Sequence, residues 1–115
     1  MESAVKNLAV LWVNGDREVA LQTVYPYCIE AKVQSWWKEV RLIAWGPSAR
    51  TLSEDPQLQK ELKKVKNAGV VLEACKSNAD RYGVSDNLTR LGFNVKLMGL
   101  PFTQMLKGDY TVITV

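Results

Sequence analysis

The sequence predicts an α/β protein built on an open, five-stranded parallel sheet, and three observations carry that prediction. The run LAVLWV is continuous rather than alternating, as a strand buried on both faces requires, and VRLIAW follows as a second strand. Each run stops hard, at Asn14-Gly15-Asp16 or at Gly46-Pro47. Between runs the apolar spacing becomes helical, so strand and helix alternate from end to end, with right-handed crossovers.

The first strand is read at residues 8–13. Asp16 follows it as the helix cap, because its carboxylate meets free backbone N–H groups and the positive helix end. The helix runs from Glu18 to about Ser35, with Ala20, Val24, Cys28 and Ala31 on one stripe. Pro26 removes a backbone donor inside it, and a kink is expected near Tyr25. The second strand covers 40–45, and a short helical turn is expected over 48–53. A longer helix starts at Pro56 and ends near Ala68, with Gly69 as its cap. Its Leu58, Leu62 and Val65 face the core, while Lys60, Lys63, Lys64 and Lys66 form a solvated side.

The third strand, 70–74, leads directly into Cys75. A helical segment follows to Tyr82, breaks at Gly83, and restarts with Ser85 as its cap. The fourth strand is placed at 93–98, a helix of at most two turns at 101–107, and the fifth strand at 110–115. Four crossovers must cover two apolar faces. If most share one face, the last short helix is nearly alone on the other, and self-association is expected. Trp36 and Trp37 either add a second adhesive surface or pack under the helix end.

Composition narrows the chemistry. At 115 residues the chain is expected to be a single domain, large enough for a core without metals or disulfides. A net charge of +3 lacks the concentrated basic stripe of a nucleic-acid binder. Neither a signal peptide nor a membrane-length apolar run is seen, so a cytoplasmic protein with no membrane partner is expected. There is no histidine, which excludes Ser-His, Cys-His and His-metal sites within the chain. The two cysteines stand far apart, with no CxxC and no metal-like spacing. No G-x-G-x-x-G or Walker pattern occurs, and no cofactor is expected.

In an open parallel sheet, ligands bind outside the carboxyl ends of the strands. The expected rim therefore comprises Asn14, Gly15, Asp16, Trp45, Gly46, Ser48, Cys75, Lys76 and Met98. Cys75 is the one strong nucleophile there, at a helix start that favours the thiolate. The competing reading makes Cys75 a packed residue closing the strand. Cys28, on an apolar stripe, is read as core. Cys75 and Arg81 also stand in the C-x5-R spacing of cysteine phosphatases, whose loop wraps an oxyanion. Yet the intervening KSNAD holds no glycine to permit a tight nest.

These residues, taken together, resemble the DsrE-like family, the DsrE/DsrF/DsrH group with the related Tus sulfur-relay subunits. The resemblance rests on the first strand running into Asn14-Gly15-Asp16, on VRLIAWGPS, on ACKSNADRYGV and on the closing YTVITV. It implies a three-layer α/β/α fold with strand order 4-3-2-1-5. It further implies assembly as trimers or hexamers, here expected as homo-oligomers, or as hetero-oligomers, and a persulfide carried on Cys75 between sulfur-donor and acceptor proteins. Some similar sequences carry a second cysteine where this chain has Asn78, so the implied carrier is a monothiol. Three functions follow for comparison: a sulfur carrier, a non-catalytic oligomeric module that binds a small molecule or partner, and a C-x5-R phosphatase.

Overall fold

The computed structural model describes residues 6–115, in which five parallel strands form one sheet in the order β4-β3-β2-β1-β5. The strands are β1 (Asn7–Trp12), β2 (Val40–Ala44), β3 (Val71–Cys75), β4 (Asn94–Lys96) and β5 (Tyr110–Thr114). Each pairs in parallel with its neighbours; Val10, for instance, stands opposite Leu42 on one side and Ile113 on the other. The steps from β1 to β4 run in one direction, so right-handed crossovers place their helices on one face. The step from β4 to β5 runs back across the sheet and places its helix on the other.

On the first face lie α1 (Arg17–Val19), α2 (Tyr25–Val33), α3 (Pro47–Glu54), α4 (Pro56–Asn67), α5 (Lys76–Tyr82) and α6 (Ser85–Arg90). Their buried side chains, among them Cys28, Leu52, Leu58, Leu62, Val65 and Leu88, pack on Leu8, Val10, Trp12, Leu42, Ala44, Leu72 and Ala74, as does Val24 between α1 and α2. Each fully buried aliphatic side chain here contributes about 1.5–3 kcal/mol. The predicted stripes of α2 and α4 are thus the buried ones. Trp37 packs on this core, whereas Trp36 stays exposed.

Among the described residues, α7 (Gly99–Lys107) alone covers the second face. A smaller cluster joins Ala9, Ile43 and Cys75 of the sheet to Met98 and Met105, edged by Trp45, Phe102 and Val112. The expected imbalance between the faces is present in the monomer.

Several boundaries differ from the sequence expectation, each for a local reason. Asp16 caps α1 as expected, its carboxylate accepting the Glu18 N–H at 2.7 Å. Pro26 does not simply kink the helix. The chain passes from α1 to α2 through a π-helical stretch, Ala20–Val24, in which the Tyr25 N–H donates to the Ala20 carbonyl. That wider turn relieves the crowding a proline ring imposes on the preceding turn. The expected turn at 48–53 is a full helix, started by Gly46 at φ 85° and by Pro47 in the first helical position. Ala68, not Gly69, caps α4, and Gly69 follows at φ 100°. Ser85 is not a cap either: Val84 holds that place, and the Ser85 hydroxyl donates to Asp80. β4 has three residues rather than six, because the chain turns at Leu97 and Met98 into an α7 that starts earlier than expected.

Candidate functional site

Cys75 ends β3 and occupies the cap position of α5. Strand alternation sends Leu72 and Ala74 to the first face, and Glu73 and Cys75 to the second. The Cys75 Sγ lies 3.4 Å from the Ser77 Oγ. The backbone N–H groups of Asn78, Met98 and Ser77 add to the hydroxyl in favouring its thiolate. Burial pushes this thiol up, but the Ser77 hydroxyl and those N–H groups outweigh burial and hold it below the ordinary thiol value. Cys28 shows the opposite case: buried among apolar side chains, its thiol is pushed up to about 12. The two cysteines therefore differ through their donors, which reach Cys75 from both α5 and the β4–α7 turn.

Asn78 supports this arrangement from behind. Its side chain is buried and its Oδ1 accepts the Gly46 N–H at 2.7 Å, tying the first turn of α5 to the end of β2. Gly46 needs its positive φ there, since an added Cβ would also come within 3.2 Å of the Val13 side chain. Trp45 stands on the second face and meets the Phe102 ring edge-on, with centroids 5.7 Å apart. Met98 is fully buried in the cluster that contains Cys75.

The other rim residues serve the turns. Asn14 Oδ1 accepts the Asp16 N–H, and the Gly15 carbonyl accepts from the Thr51 hydroxyl. Ser48 is fully buried and donates to the Trp12 carbonyl, so its hydroxyl is not presented at the rim. The Val13 and Asn14 N–H groups both donate to the Val115 carbonyl, tying the turn after β1 to the residue after β5. Lys76 pairs with Asp80 at 2.7 Å, so its ammonium is engaged by that carboxylate. Arg81 lies exposed in the last turn of α5, and the residues between Cys75 and Arg81 are helical. They do not wrap an oxyanion, which removes the geometry that a C-x5-R phosphatase needs.

Sequence reasoning missed a charge network below the thiol on the same face. Glu73, almost wholly buried, meets the Arg41 Nη1 at 2.8 Å and the Lys96 Nζ at 3.0 Å. Arg41 also donates to Glu39 and to the Tyr110 hydroxyl. The available signal was a charge inside a central strand, Arg41 in VRLIA and Glu73 in VLEAC, which must be paired when buried. Among the described residues no group of metal-ligating side chains gathers, and no helix is long and apolar enough to cross a membrane.

With this geometry in hand, comparisons with known proteins are informative. The model of the DsrE/DsrF-like family matches residues 9–115. Among solved structures, the chain is similar to BT1422 from Bacteroides thetaiotaomicron, a conserved protein of unknown function, at 29% identity and a TM-score of 0.91. That match covers 96% of this chain and 95% of the other. It also shares its fold with the ychN protein from E. coli, at 16% identity and a TM-score of 0.64, covering 97% and 100%. No curated protein matches the sequence.

Proposed function

The chain belongs to the DsrE/DsrF-like family, and on that premise we propose that it is a sulfur-relay protein that carries persulfide sulfur on Cys75. The observation that carries the reading is the set of donors converging on the Cys75 Sγ, from Ser77, Asn78 and Met98. The Cys75 thiolate attacks the outer sulfur of a donor persulfide. A new S–S bond forms at Cys75, and the donor thiolate leaves with the electron pair of the broken bond. An acceptor thiolate then attacks the outer sulfur, and Cys75 departs as the thiolate that its donors stabilise. With Asn78 in place of a nearby thiol, Cys75 transfers sulfur without forming an internal disulfide. The relay works in a reducing cytoplasm, as a trimer or hexamer that buries the thinly covered second face, and exchanges sulfur with donor and acceptor proteins.

A second reading, a non-catalytic oligomeric binding module, is favoured by one observation: Cys75 is only 4% exposed. Loading separates the two. Incubation with inorganic polysulfide, followed by intact mass measurement, is expected to add about 32 Da per sulfur to the wild type and nothing to Cys75→Ser. An unmodified wild type, or equal adducts on both proteins, would falsify the carrier reading.

A further inference from the structure

We propose that the Glu73–Lys96 ion pair governs the charge on Cys75: Lys96 is the cation that stabilises anionic sulfur there, thiolate or persulfide, and Glu73 is the carboxylate that restrains it. The inference rests on the sulfur-relay reading for its loaded state, and it adds two positioning residues to that same site.

Strand register brings the three side chains together. Cys75 on β3 stands directly opposite Lys96 on β4. Partners in parallel strands lie about 4.8 Å apart and project to the same face of the sheet. Glu73 precedes Cys75 by two residues on that face, about 6.6 Å back along the strand. The Lys96 Nζ meets the Glu73 carboxylate at 3.0 Å, so its ammonium is held over the sheet, one side-chain position from the thiol. Lys96 also lines a cavity with Met105, a member of the cluster that contains Cys75.

The pairing of Glu73 is uneven, and this makes Lys96 the movable partner. Arg41 at 2.8 Å and Lys96 at 3.0 Å both meet Oε2, while Oε1 is buried with no hydrogen-bond partner among the described residues. Arg41 is fixed further by Glu39 and the Tyr110 hydroxyl. Lys96 instead keeps 37% of its side chain in solvent, on a flexible stem. Arg41 therefore keeps the buried carboxylate paired when Lys96 turns toward the sulfur. Loading adds a second sulfur about 2 Å beyond Sγ and moves the negative charge onto it. The charge then leaves the atom served by the Ser77 hydroxyl, and a cation on a long stem can follow it. Other charges on the neighbouring elements are engaged or remote. On α5, Lys76 is paired with Asp80 and Arg81 lies in the exposed last turn; α7 carries no charge before Lys107, its last residue.

The test follows Cys75 alkylation against pH in the full-length protein, where burial keeps Cys28 protonated. Lys96→Met removes the cation and leaves the carboxylate, so the midpoint is expected to rise by about one pH unit. Glu73→Gln frees the cation, and the midpoint is expected to fall by about half a unit or more. Lys96→Arg keeps the charge and should stay within about 0.3 units of the wild type. Sulfur loaded from inorganic polysulfide, read by intact mass, should drop about fivefold in Lys96→Met and persist in Lys96→Arg. A loosened fold cannot imitate this pattern, because it moves both variants upward toward the ordinary thiol value. Midpoints that rise together, or do not move, overturn the inference, as does an undiminished load in Lys96→Met beside a loaded wild type. A wild type that takes up no sulfur while the two midpoints move apart overturns the sulfur-relay reading alone and supports the pair's control of the thiol.

Discussion

Ser77 and Asn78 act on Cys75 in different ways, and only one of them touches the sulfur with its side chain. The Ser77 hydroxyl sits 3.4 Å from Sγ, whereas the Asn78 side chain holds the β2 turn and leaves the sulfur to its backbone N–H. A hydrogen bond to an anion is stronger than one to a neutral group, so it favours the thiolate over the thiol. Ser77→Ala is therefore expected to raise the Cys75 thiol pKa and to slow its alkylation at pH 7 roughly threefold to tenfold. An unchanged alkylation rate would show that the hydroxyl plays no part. At this scale the sequence was informative about Cys75, because a cysteine after a strand and before a helix reads directly from LEACKSNAD. The role of Asn78 was not legible. Its Oδ1 partner, the Gly46 N–H, lies far away in the chain and is brought close only by the parallel pairing of β2 and β3.

The elements show the same division between local and distant causes. Apolar-rich runs bounded by turn residues located all five strands, since that pattern needs no knowledge of neighbours. The end of β4 was not readable: Leu97 and Met98 are apolar like strand residues, yet the chain turns there to start α7. The π-helical stretch before Pro26 was half-legible, as the missing donor predicts an interruption without specifying its form. Charges within strands carry the sharpest prediction at this scale. Arg41 holds the buried Glu73 from β2, and Lys96 holds it from β4. Arg41→Ala leaves that carboxylate with one partner and should cost about 3 kcal/mol, read from the midpoint of urea unfolding. Lys96→Ala, which removes the more exposed partner, should cost about 1 kcal/mol. Equal, negligible shifts in both variants would mean that water replaces the pairing.

At the scale of the molecule, one short helix among the described residues covers one sheet face, whereas several cover the other. That asymmetry follows from the strand order, in which only the last crossover runs back across the sheet. For a 12.9 kDa chain, sedimentation at micromolar concentration is expected to report three or six copies, and a stable monomer would contradict that expectation. The same topology places Cys75 where α5 and the β4–α7 turn can both direct N–H groups at it. The account depends most on that convergence, and the pH dependence of Cys75 alkylation tests it directly. Cys28 stays silent below pH 9, because burial holds its thiol protonated up to about 12. The alkylation rate should therefore follow Cys75 alone, rising with pH to a plateau whose midpoint lies below the ordinary thiol value. A midpoint at or above that value would show that burial outweighs the donors and that Cys75 is a packed thiol.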